Sequence, residues 1–81
     1  MDYKTHRREM IRSKVIEHGI TDEAFTSRRL SVIIIRFHPT DQELEHGLSK
    51  IKEALDRYMV KSLEGYTYKT FEQIREVGIS K

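Results

Sequence analysis

The sequence predicts a small α+β fold with a βαβ-like, two-stranded centre. Three observations carry this reading. Leu30–Phe37, L-S-V-I-I-I-R-F, is an almost unbroken apolar run in which Val32, Ile33, Ile34 and Ile35 are all β-branched, a shape that suits a pleated backbone. A capped amphipathic stretch of helical period follows it. Tyr66–Lys69 then returns to strand-forming residues, giving the strand–helix–strand order of a right-handed crossover.

Each element has its own justification. An N-terminal helix, about 3–18, follows from the apolar stripe of Met10, Ile11, Val15 and Ile16. Gly19 stands where a left-handed C-terminal cap is needed, and Lys14 and His18 complement the negative helix pole. Residues 20–28 read as a connector. In it Thr21 or Asp22 caps one or two helical turns, and Ile20 and Phe25 pin the piece to the core.

The first strand spans about 30–37. Alternation sends Leu30, Val32 and Ile34 to one face and Ile33, Ile35 and Phe37 to the other. Both faces are apolar, as in a central strand covered on both sides. Pro39 ends it. Thr40-Asp41-Gln42-Glu43 is a capping box that opens a long helix, about 41–63. Its stripe is Leu44, Leu48, Ile51, Leu55, Tyr58 and Met59, at the alternating spacings of a core-facing surface. Gly47 marks a close approach of another backbone, and Gly65 caps the C-terminus. The second strand is about 66–69. Thr70-Phe71-Glu72-Gln73 is a second capping box, opening a short C-terminal helix, about 71–77, with Phe71, Ile74 and Val77 on one face and Gly78 at its end.

The 81 residues form a single domain, 1–81, that is 35% charged and has no cysteine. That excludes disulfides and thiolate metal sites and accords with a reducing, cytoplasmic setting. A core this small is marginal alone. The predicted strand is about 26 Å long and the long helix about 35 Å, so the helix overshoots the strand at Tyr58, Met59 and Leu63. The strand carrying Ile33 and Ile35 keeps an unpaired edge. Both features predict a homodimer, with Ile33, Ile35, Tyr58, Met59 and Leu63 as the self-association or partner surface. No apolar run approaches the ~18 residues of a membrane span, and the charged N-terminus is not a secretory leader, so no membrane partner is expected.

Charge is uneven. Residues 1–36 hold eight Lys/Arg against five Asp/Glu, and residues 37–81 hold seven against eight. Arg7, Arg8, Arg12 and Lys14 on the first helix, with Arg28 and Arg29 before the strand, are the candidate phosphate contacts. Arginine forks match phosphate oxygens, and such contacts gain affinity by counterion release. The leading expectation is a small nucleic-acid-binding accessory or regulatory protein that uses its basic N-terminal helix. The alternative is a protein-binding regulator, an adaptor or inhibitor of a larger complex of the kind that small viral and mobile-element genomes encode. Tyr58, Tyr66 and Tyr68, near Lys61 and Lys69, suit base stacking and equally suit half-buried packing.

Two stretches, Glu17–Phe25 and Thr70–Lys81, each resemble part of a helix-turn-helix. However, Lys14 and His18 stand where that motif wants apolar residues, and neither stretch includes a recognition helix. His38, Asp41, Glu43, Glu45 and His46 match no metal-ligand spacing. There is no glycine-flanked nucleophile and no glycine-rich phosphate loop. The sequence therefore predicts no catalytic residue, metal, cofactor or small-molecule substrate, and no enzyme.

Overall fold

The computed structural model describes residues 3–20, 24–58 and 60–78, with the side chains of 24 and 25 outside that description. Thr21, Asp22, the Phe25 side chain, Met59 and Ile79 thus lie outside the described residues. The described residues form four helices: α1 (Tyr3–Glu17), α2 (Ala24–Ile35), α3 (Asp41–Arg57) and α4 (Leu63–Val77). Around the core the neighbour order is α1–α2–α4–α3, so α2 and α3, though consecutive, sit across from each other. No strand exists among the described residues, and the α+β expectation is overturned.

The isoleucine run is the main correction. Residues 30–35 belong to α2 and not to a strand. A strand needs a neighbour to satisfy its backbone, and the only candidate, 66–69, is itself inside α4. A helix satisfies its own backbone and sorts the side chains by a different period. Ser27, Leu30, Ser31 and Ile34 are fully buried at helical spacing, while Arg28, Arg29 and Val32 are exposed. β-branched residues lose at most about 0.7 kcal/mol each in a helix. Burying one large aliphatic side chain gains ~1.5–3 kcal/mol, and Leu30, Ile33, Ile34 and Ile35 are all in the core. The two small serines let α2 lie close to α1, its most extensive partner. Their hydroxyls are satisfied: Ser31 Oγ donates to the Arg28 carbonyl at 2.7 Å, and Ser27 Oγ accepts from Arg12 Nε at 3.4 Å.

The second strand fails for a related reason. Leu63, Tyr66, Thr67, Thr70, Phe71 and Ile74 form one helical stripe facing the core. Ser62 caps α4 by accepting from the Gly65 amide at 3.1 Å. Thr70, expected to open a helix, lies in the middle of one, where its hydroxyl donates back to the Tyr66 carbonyl at 2.8 Å. Gly65 likewise starts α4 and does not end α3. That helix stops at Arg57, where Tyr58 turns to extended backbone (φ −129°, ψ 156°). Its overshoot toward Leu63 therefore does not occur.

Several local expectations hold. Thr40 and Glu43 make both bonds of the capping box, at 3.1 and 2.8 Å. Gly19 takes φ 70°. Its amide donates to the Ile16 carbonyl and that of Ile20 to Val15, the paired closure that a left-handed cap produces. Leu44, Leu48 and Ile51 are buried on α3.

The radius of gyration is 11.8 Å, close to the ~12 Å expected of a compact chain this long. The sheet edge and the helix overshoot on which the homodimer expectation rested are absent among the described residues. No helix of the described residues is long and apolar enough to cross a membrane.

Gly47 marks a close approach, but to a side chain and not to another backbone. The Phe71 ring lies against it, and a Cβ there would overlap that ring. Phe71 is 1% exposed and stacks on Phe37 at 6.3 Å, so it cannot swing out. Gly47→Ala gains ~1 kcal/mol of helix propensity against an overpacking cost of ~1–3 kcal/mol. It should lower stability by about 1 kcal/mol in urea denaturation, with recovery when combined with Phe71→Leu. A higher urea midpoint for the single variant would contradict this packing.

Candidate functional site

The roll of α2 places its cations together. Arg28 and Val32 are one turn apart on its outer side. A tight turn, closed by Arg36 and Phe37 amides on the Ile33 and Ile34 carbonyls, carries Arg36 one turn further. From Arg28 to Arg36 the rise is about 12 Å. These residues face α4 across a groove of about 390 Å³. Arg28, Arg29 and Arg36 surround it, Val32 and Ile33 form its floor, and Glu64 and Tyr68 close the far wall. Arg29 Nε donates to Glu64 Oε1 at 2.8 Å, tying the two walls together. Arg28 and Arg36 are exposed and form no ion pair among the described residues.

Tyr68 also lines a second groove, about 730 Å³, between the end of α3 and the start of α4. Tyr58, Tyr66, Lys61 and Lys69 line it too, with Glu72 at its edge. Tyr58 is 67% exposed, because the chain leaves helical geometry at that residue. Tyr68 is 38% exposed. Its ring meets Phe37 in a T-shaped contact at 6.2 Å, which anchors it to the core. Through Tyr68 the two grooves form one face. It carries Arg28, Arg29, Arg36, Lys61 and Lys69 against Glu64 and Glu72.

The cations of α1 are placed differently. Arg7, only 15% exposed in its side chain, donates to Asp41 Oδ1 at 3.0 Å and to the Pro39 carbonyl at 2.9 Å. It clamps the turn that leads into α3. Arg12 reaches Ser27 of α2 and lies 3.9 Å from Glu9. Lys14 pairs with Glu45 of α3 at 3.0 Å, and His18 Nε2 lies 2.8 Å from the other oxygen of the same carboxylate. Arg8 makes no ion pair among the described residues. Of the six cations picked out in the sequence, Arg28 and Arg29 therefore share a surface with each other, while Arg7, Arg12 and Lys14 hold helices together. Arg36 was missed because it was read as a strand residue. Its spacing of four and eight from Val32 and Arg28 was the available signal.

Among the residues expected to mediate self-association, Ile33 and Ile35 are buried in the chain's own core, Leu63 packs against it and Tyr58 is exposed. The carboxylates near the start of α3 are engaged by Arg7, by the Thr40 cap and by Lys14 and His18. No group of three or more His, Asp or Glu among the described residues is placed to hold a metal.

Comparison with protein-family models, with curated proteins and with solved structures finds no match to this chain.

Hydrogen bonds from Lys14 and then His18 hold the Glu45 carboxyl below its ordinary value, and the same carboxylate raises Lys14. Since Glu45 titrates lower folded than unfolded, its stabilisation is present above the unfolded value and is lost as pH falls through the folded one. The Lys14 contribution is present below its ordinary value near 10.5 and fades as pH rises through the raised one. Glu45→Gln should therefore show a shallower loss of urea midpoint than the parent as pH drops below about 4.5. Parallel curves would mean that the α1–α3 tether adds nothing.

Proposed function

We propose that this chain is a small nucleic-acid-binding accessory protein that acts by binding, without catalysis, and holds phosphates with the arginines of α2 and of the turn that follows it. The observation that carries this reading is the placement of Arg28, Arg29 and Arg36 around one groove, with Arg28 and Arg36 exposed and without ion pairs among the described residues. Guanidinium forks suit phosphate oxygens, and spaced cations on one helix side suit a ligand of repeated charge. The basic N-terminal helix then serves the fold, since Arg7, Arg12 and Lys14 are engaged by neighbouring helices.

A second reading has its own support. The Val32–Ile33 floor could seat apolar side chains of an acidic partner helix, which would make the chain a protein-binding regulator. The first reading is preferred because protein interfaces are depleted of charge at their centres, whereas this groove is ringed by guanidiniums.

The logarithm of nucleic-acid affinity should fall linearly with the logarithm of salt concentration, with a slope of ~0.7–0.9 per phosphate neutralised. Arg28→Ala with Arg36→Ala should flatten that slope by roughly 1.4–1.8. Arg7→Ala with Arg8→Ala should chiefly lower the melting temperature, through loss of the Arg7 clamp. Absence of binding to any nucleic acid at low salt, or an unchanged slope in the α2 variant, would remove this reading.

A further inference from the structure

Resting on that phosphate-binding reading, we infer that the ligand is a single-stranded nucleic acid, whose phosphates follow the α2 arginines while its bases stack on Tyr68 and Tyr58. The two grooves meet at Tyr68, which lines both. A strand laid along them passes from guanidiniums to exposed rings with Lys61 and Lys69 beside those rings. That is the combination a single strand needs: cations that track the backbone and aromatic faces for successive bases. A duplex cannot use it. Its bases are stacked on each other and present only edges, so exposed tyrosines add nothing to its affinity.

The tyrosines are not explained by packing alone. Tyr58 is 67% exposed at a helix end, where a side chain adds little to the core. Tyr68 meets Phe37 in a T-shaped contact that restrains its ring, and 38% of the residue stays exposed. Such a ring is preorganised: a base that stacks on it need not first immobilise it. Charge complementarity supports the same occupant. Arg28, Arg29, Arg36, Lys61 and Lys69 outnumber Glu64 and Glu72 on the face. Nothing on it reads a base edge in an obvious way, so binding should tolerate sequence.

Fluorescence anisotropy at low salt tests this, with labelled oligothymidine, oligouridine, an abasic strand of equal length and a duplex. Oligothymidine should bind at least ~10-fold more tightly than the abasic strand, on the scale of stacking one base. Tyr58→Ala and Tyr68→Leu should each weaken it ~5- to 100-fold, while Tyr68→Phe should bind like the parent. Binding to the abasic strand should not change in these variants, whose helicity is checked by circular dichroism. Tyr58→Ala, at an exposed site, keeps the test valid if Tyr68→Leu unfolds. Comparable binding of oligothymidine and oligouridine supports sequence- and sugar-tolerant stacking. Two results overturn the inference and leave phosphate binding standing: equal affinity for oligothymidine, abasic strand and duplex, or no effect of the tyrosines while Arg28→Ala with Arg36→Ala still weakens all probes. Failure of every probe to bind, with polyglutamate binding instead, overturns both this inference and the reading it rests on.

Discussion

Packing of Ser27, Leu30, Ser31 and Ile34 into the core fixes how α2 is rolled, and the roll decides what this molecule shows to solvent. Two serines on that face are small enough to bring α1 close. Their hydroxyls are satisfied, one by the backbone of its own helix and one by Arg12, so the close approach leaves no buried polar atom unpaired there. With the inner face committed, Arg28, Arg29, Val32 and Arg36 must turn outward toward α4. A helix rolled by one residue would bury a guanidinium, a cost of several kcal/mol if unpaired. The same geometry that makes the core stable therefore assembles the basic groove.

Charge is used in two ways. The cations of α1 are spent on neighbours: Arg7 on the α2–α3 turn, Arg12 on Ser27, Lys14 on Glu45. Their carboxylate partners lie largely at the start of α3, where acids also suit the helix dipole. Arg28 and Arg36 make no ion pair among the described residues, and Glu64 pairs with Arg29. A count of charges along the chain marks the first helix as the basic element. The folded arrangement transfers that role to the second. Aromatic residues follow the same division, with Phe37 and Phe71 stacked inside and Tyr58 and Tyr68 turned out beside the lysines.

Local chemistry was legible where it depends on a few adjacent residues. The Thr40–Glu43 box, the left-handed Gly19 and the stripe Leu44, Leu48 and Ile51 require only near neighbours in the chain, and all are present. The isoleucine run was illegible because β-branching and period-two alternation describe it as well as a helix does. The deciding residues were Ser27 and Ser31, polar by type but buried by position, so a search for apolar periodicity passes over them. Tyr66–Lys69 misled in the same way, since Thr67 and Thr70 hide their hydroxyls on carbonyls one turn back. Once α2 is misread as a strand, a sheet edge follows from it, and Arg36 drops out of the site.

The direction of residues 28–36 is the claim on which the groove, the arginines and the tyrosine face all stand. The chain has no cysteine, so single cysteines report cleanly. Thiol-labelling rates of Val32→Cys and Ile34→Cys in the folded protein test it most directly. A helix places the two on opposite sides, and the account predicts rapid labelling at 32 with protection at 34. Equal rates at both positions, as a strand would give, would contradict it.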